Sequence, residues 1–412
     1  MGAFEYRQDT LYCEGVALAD IARRAGTPLY VYSAAAIVER YKAYDEAFGN
    51  APHQICYAVK ANSNLSILRL LAEQGSGFDI VSGGELFRVL KAGGDPAKVV
   101  FSGVGKTAAE IEYALESRIH SFNSESEAEL ALIDALAARR GVHASVAVRV
   151  NPDVDATTHP YISTGLREHK FGVDISEVEA LYARARSFAN LRLDGVSCHI
   201  GSQILDTGPM MEAFDKMIAL VERLRVAGVP IRTLDLGGGL GVAYKPADAA
   251  PSIAGFIAAM GEKIQGKSLT VMIEPGRSIV GEAGVLLTRV LYRKANGSKQ
   301  FVIVDAGMND LIRPALYQSH HEIIPLRRSS GESIVADVVG PVCESGDFLA
   351  RNREIANVLP GDLLAVCTAG AYGFVAASNY NSRPRVAEVL VEDGSWRVVR
   401  KRETLEDLIR GE

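Results

Sequence analysis

Lys60 closes the run ICYAVKAN (residues 55–62), in which apolar residues lead to a single cation. A lysine at the end of a buried strand has a desolvated amine, and desolvation lowers its pKa and makes it a Schiff-base nucleophile. A lysine that merely starts an exposed loop would do neither. Glu274 ends LTVMIEPGR (269–277), with Gly276 and Arg277 directly after it. A carboxylate beside a ring nitrogen keeps that nitrogen protonated and turns the ring into an electron sink; the same carboxylate could equally serve a structural ion pair. Gly237, Gly238 and Gly239 form the turn of TLDLGGGLG (233–241). Consecutive glycines let backbone N–H groups face an anion, a helix N-terminus adds a favourable dipole, and Arg277 offers a charge-assisted pair. The plainer alternative is a tight turn with a surface arginine.

His199, in CHIGSQ, has a ring able to stack on a planar ligand, and Ser202 three residues later could donate to a phosphate. Either could instead be a packing or capping residue. Cys343 lies in GPVCESGD, where proline and glycine fix a loop expected to place Cys343, Glu344 and Asp347 close together. A thiol among carboxylates suits proton donation better than nucleophilic attack, while a buried cysteine is also a small hydrophobe. Arg313 and Tyr317 sit four apart in LIRPALYQSHHE, followed by the adjacent His320 and His321, and Tyr372 stands between glycines in TAGAYGF. An arginine binds a carboxylate through two parallel bonds, so Arg313 is a candidate reader of an acidic substrate end unless it is simply solvated.

Eight short strand-like runs could carry these residues: 55–62, 78–85, 98–106, 119–126, 145–153, 193–203, 233–241 and 269–277. Helix-like segments such as LSILRLLAEQG and SEAELALIDALAARRG separate them, with helical apolar spacing and glycine stops. Eight parallel strands with crossover helices predict a (β/α)8 barrel of the TIM type, whose post-strand loops open on one face. An open doubly wound sheet is the alternative, but its glycine fingerprint should follow the first strand, and here the triplet follows the seventh. After about residue 281 short strands run without amphipathic helices between them, predicting an all-β domain; DTLYCEGVAL and PLYVY, near the N-terminus, could be strands of either part.

Composition narrows the function. The 412 residues are 48% hydrophobic and 23% charged, like an ordinary globular chain. Forty-four basic residues against fifty acidic give a net charge of -6, and the absence of a basic stripe disfavours nucleic-acid binding. Without an apolar run of spanning length or a leader-like N-terminus, a membrane or secreted protein is disfavoured too. Five scattered cysteines, with no CxxC pair and no HExxH, fit reduced thiols in a cytoplasm and no metal site.

Taken together, YAVKAN, FDIVSGGEL, FSGVGK, FNSES, HKFG, CHIGSQ, DLGGGLG, EPGRS, IRPALYQSHHEI, GPVCESGDFLA, TAGAYGF and SNYNSRPR span nearly the whole chain. In this order they resemble the alanine-racemase-like, group IV decarboxylase family of pyridoxal-phosphate enzymes. The resemblance implies a barrel over residues 29–280 and a β domain made from 1–28 and 281–412. It implies pyridoxal 5'-phosphate bound to Lys60, stacked by His199, with Glu274 at the pyridine nitrogen. Phosphate contacts fall to Ser202, Gly237, Gly238, Gly239, Gly276, Arg277 and Tyr372. Substrate contacts fall to Arg277, Arg313, Tyr317, Glu344 and Tyr372, with Cys343 as general acid.

The implied reaction is decarboxylation of meso-2,6-diaminopimelate at its D centre to L-lysine and carbon dioxide, the last step of lysine biosynthesis. The implied assembly is a homodimer that shares the CESGD loop, with residues 151–172 as the candidate cover of the site. Within the family, ornithine- and arginine-type decarboxylases have no distal carboxylate for Arg313 to read, and a racemase would limit side reactions with an arginine where Glu274 stands. A non-catalytic relative would be expected to lack Lys60, Glu274 or Cys343, all present here.

Overall fold

The computed structural model describes residues 3–155, 170–328 and 331–412. Residues 156–169, inside the segment read as a cover for the site, lie outside the described residues. The chain divides into two compact units: residues 41–241 with 249–276, and residues 1–40 with 242–248 and 277–412.

The first unit is the expected barrel. Its strands are His53–Ala58, Gly77–Ile80, Val99–Phe101, Ser121–Ser124, Ala144–Asn151, Leu191–Cys198, Thr233–Asp235 and Thr270–Ile273. Every neighbouring pair is parallel, and pairing of Val271 with His53 closes the ring. The short two-residue strand Val173–Asp174 adds to the edge of Ala144–Asn151. Cys56, Val100 and Met272 pack together inside, and most strand residues are fully buried, as parallel strands covered on both faces require.

Local chemistry sets the helices. In Glu127–Arg140 the buried Leu130, Ile133, Leu136 and Ala137 fall at helical spacing, so one face is apolar. Ser126 caps its start by accepting from the Glu129 N–H, and Ser82, Thr107 and Ser252 cap three other helices in the same way. Gly93 and Gly141 stop two helices in the left-handed conformation. The alternation ends differently from the reading of eight strand–helix repeats. After the eighth strand comes only the four-residue helix Arg277–Val280, while a full helix, Ala34–Phe48, precedes the first strand.

In the second unit a mostly antiparallel sheet runs Phe348–Ala356, Ser333–Val339, Lys299–Val304, Gly284–Asn296, Leu29–Ser33, Ala387–Glu392, Ser395–Arg400. Leu363–Val366 pairs with Gly284–Asn296 and with Ile323–Pro325. Leu29–Ser33 corrects the boundary drawn at residue 29: it pairs antiparallel with Gly284–Leu287 and parallel with Ala387–Val391, so it is a β-domain strand. Its five residues are all buried, and a run buried on both faces reads alike in a barrel or a sheet, which is why PLYVY was ambiguous. The core beneath it joins both chain ends, with Leu11, Leu18 and Ile21 packed beside Val285, Leu326 and Val389. The unit is not purely β, because Leu18–Ala25 is helical.

Candidate active site

Side chains from several C-terminal strand ends converge on a barrel cavity of about 200 Å³, lined by Lys60, Ser102, Asn123, Arg149, His199 and Glu274 among others. Lys60 follows the first strand in a single 3₁₀ turn, and its Nζ pairs with Asp79 Oδ2. Asp79, on the second strand, is fully buried. This carboxylate is one of the residues that sequence reasoning missed, although a lone acid between Phe78 and Ile80 inside an apolar run is itself a signal.

Glu274 is 7% exposed and its Oε1 accepts from Ser102 Oγ and Asn123 Nδ2, each at 3.2 Å. The same amide donates to Asp235 Oδ2 at 3.0 Å. Burial pushes the Glu274 pKa well above the usual carboxylate range, and the charges of Asp235 and Asp79 add to it while Lys60 opposes them. Asp235 is pushed up as well, again mainly by burial. Burial and mutual repulsion therefore bias the pair against carrying two negative charges. Asp235, Asn123 and Ser102 were also missed; Asp235 immediately precedes Leu236 and the glycine triplet in LDLGGG, an acid closing a strand.

Asp235 Oδ1 accepts the Gly237 N–H at 2.9 Å, and the Gly238 N–H donates to His199 Nδ1 at 3.2 Å. Gly237 has φ +65°, a conformation glycine adopts without strain. A Cβ on Gly238 would meet the Glu274 carbonyl oxygen at 2.3 Å, so only glycine lets the ends of the seventh and eighth strands approach this closely. Accepting a backbone N–H at Nδ1 places the His199 proton on Nε2. Burial, followed by Arg149 and Lys60, holds its pKa well below the ordinary value, so the ring is neutral. Gly276 lies against Ala58 and Ala61, and Ser202 is half-buried. Arg149 pairs with Glu125 at 2.9 Å and lies 4.7 Å from the centre of the Phe171 ring.

In the second unit Arg277 and Arg313 are each 6% exposed. Arg277 donates to Tyr244 Oη at 2.7 Å and lies 4.7 Å from the Tyr372 ring centre. Arg313, at the start of the helix Arg313–Tyr317, lies 4.5 Å from the Tyr244 ring centre and bonds His321 Nε2 at 2.8 Å. Arg277, Arg313 and Tyr372 are thus brought together around Tyr244, which no motif had singled out. Tyr317 is half-buried on the same short helix as Arg313.

The CESGD loop is organised apart from this cluster. Cys343 is exposed, its N–H donating to Asn381 Oδ1 at 2.8 Å, and Glu344 accepts from the Tyr380 hydroxyl. Asp347 turns inward instead of flanking the thiol: it accepts the N–H groups of Met308 and Val342, both at 2.6 Å, and so holds the loop closed. Among the described residues no group of His, Cys, Asp and Glu side chains is arranged to hold a metal ion, and no helix is long and apolar enough to cross a membrane.

Residues 34–281 match the family model described as the pyridoxal binding domain of pyridoxal-dependent decarboxylases. The chain is 56% identical to a diaminopimelate decarboxylase of Pseudomonas aeruginosa, over 100% of this chain and 99% of that one. It is 51% identical to the Aquifex aeolicus protein of the same name, over 98% and 96% of the two chains. The crystal structure of diaminopimelate decarboxylase from Helicobacter pylori complexed with L-lysine superposes with TM-score 0.92 at 46% identity, covering 95% of this chain and 98% of that one.

Proposed function

Because this chain belongs to the pyridoxal-dependent decarboxylases, we propose that it binds pyridoxal 5'-phosphate and converts meso-2,6-diaminopimelate to L-lysine and carbon dioxide. The observation that carries the chemistry is the buried acid Glu274 lining the same cavity as Lys60 and His199. Full-length identity to enzymes named for this substrate carries the specificity.

The cavity residues suit the cofactor. Among the described lining residues Lys60 supplies the one amine, His199 a neutral flat face, and Glu274 a buried acid able to keep a proton at a pyridine nitrogen. When bound, pyridoxal phosphate accepts the electron pair released as the carboxylate departs. Asp79 would hold the Lys60 amine where it could bond the aldehyde carbon of the cofactor, and would receive that amine again when a substrate amine took its place there. With the cofactor bound, the proton favoured in this acid cluster would pass to the ring nitrogen, leaving Glu274 as the carboxylate that keeps that nitrogen cationic. Ser202, the turn of Gly237, Gly238 and Gly239, Gly276, Arg277 and Tyr372 hold the phosphate.

Arg277 and Arg313 bind the carboxylate of the distal L centre, and Tyr317 and Tyr372 line its path. Glu344 binds the distal ammonium. The Cys343 thiol returns a proton to the carbon that lost carbon dioxide, and that thiol recovers its proton from solvent. Exposure of Cys343 suits a loop completed across a homodimer, with the chain acting in the cytoplasm.

Purified protein loaded with pyridoxal phosphate should release carbon dioxide from meso-diaminopimelate and not from ornithine, arginine or alanine, measured separately. Carbon dioxide from ornithine with none from diaminopimelate would overturn the substrate assignment.

A further inference from the structure

The adjacent histidines of LIRPALYQSHHE have no part in the reaction as described, yet one of them is fully buried. His321 has no exposed surface. Its Nδ1 lies 2.8 Å from the Cys367 carbonyl oxygen, which only accepts, so Nδ1 carries the ring proton. Nε2 then has a lone pair, and this faces Arg313 Nη1 at 2.8 Å. Burial and the neighbouring Arg313 charge push the His321 pKa down to about 3, so the ring stays an acceptor at every working pH.

A buried guanidinium is costly unless it is paired or hydrogen-bonded, and the usual partner is a carboxylate. Among the described residues Arg313 has none within 4.0 Å. Its surroundings are the neutral His321, the face of the Tyr244 ring at 4.5 Å, and the like charge of Arg277. Tyr244 also meets the edge of the His321 ring, with centres 5.2 Å apart, and accepts from Arg277. Among the described residues the cradle therefore holds no carboxylate, and a neutral ring stands where an acid would otherwise pair with Arg313. An aspartate or glutamate in place of His321 would orient Arg313 equally well but would cancel the charge meant for a substrate carboxylate.

We infer that His321, supported by Tyr244, is a positioning residue that aims Arg313 without neutralising it, and so sets selectivity for substrates bearing a distal carboxylate. The inference rests on Arg313 as the carboxylate reader. L-lysine, which keeps the distal carboxylate, and cadaverine, which lacks it, separate the two ideas when their inhibition constants are measured on the cofactor-loaded enzyme.

In His321→Leu the L-lysine constant should rise about tenfold, the loss expected for one aligned charge-assisted bond. The cadaverine constant and kcat should stay within about threefold, and KM for diaminopimelate should rise with the lysine constant. His321→Gln, which keeps one donor and one acceptor, should restore most of the loss. Tyr244→Leu gives a second route should His321→Leu not fold, with the same direction expected. Equal losses for lysine and cadaverine, or unchanged lysine inhibition in the folded variants, would overturn the positioning role. Arg313→Met serves as the control: if it leaves L-lysine inhibition untouched, the carboxylate-reader assignment fails instead.

Discussion

Three buried carboxylates, Asp79, Asp235 and Glu274, stand at the strand ends of the barrel, Asp79 pairing with the Lys60 amine and the other two raised in pKa by burial. Each further negative charge in a desolvated space costs more than the last, which favours the protonated forms of Asp235 and Glu274. A fourth acid behaves alike: Glu85, in the first turn of the helix Gly83–Ala92, accepts the Val81 N–H at 2.7 Å, yet burial raises its pKa from 4.5 to about 7. The folded chain thus binds this proton more tightly than the unfolded chain does. Its contribution to stability is complete below pH 4.5 and is lost as pH climbs through about 7. Thermal unfolding of the holoenzyme across that window should show a steeper fall of Tm with rising pH in the wild type than in Glu85→Gln. Parallel curves would mean that Glu85 is ionised in the folded protein throughout.

Strand ends and turns, at the next scale, explain which parts were legible in the sequence. Lys60, His199 and Glu274 were readable because each ends an apolar run that had to be a strand, and strand ends of a closed barrel meet on one face. Asp79 and Asp235 lie at or one residue before the ends of their strands but went unread, because each is a single acid flanked by apolar residues and reads as an interruption of the strand. Tyr244 and His321 were illegible for a different reason. Their roles depend on a contact between residues 77 apart in sequence, and no periodicity records such contacts. Leu29–Ser33 was readable as a strand but not as a β-domain strand, since its partners lie more than 250 residues later. The glycine turn is the element most sensitive to change. Gly238→Ala forces a Cβ against the Glu274 carbonyl oxygen, so stability should drop by about 1–3 kcal/mol. Cofactor affinity, followed by absorbance titration, should weaken with it. Wild-type values for both would show that the two strand ends can part freely.

For the whole molecule, two units are built from interleaved stretches of chain, so the β unit forms only after residues from both ends are available. Two domains follow from counting strands, and a β domain shared by both termini from the family resemblance; the inclusion of residues 242–248 in the β unit follows from neither, because that segment carries no strand pattern. Assembly is the remaining question at this scale. If Cys343 and Glu344 complete the site of a partner subunit, inactive Lys60→Ala and inactive Cys343→Ala proteins, mixed under exchange, should regain roughly a quarter of wild-type activity, since half the dimers are mixed and each has one intact site. Absence of any recovery, with exchange verified by mass, would place the loop and the lysine in the same subunit's site.

The most direct measurement uses meso-diaminopimelate labelled at the carboxyl of its D centre, incubated with the cofactor-loaded protein. Label should leave as carbon dioxide in one-to-one yield with L-lysine, and Lys60→Ala should release none above background. Retention of the label, or lysine of D configuration, would contradict the assignment of the reaction.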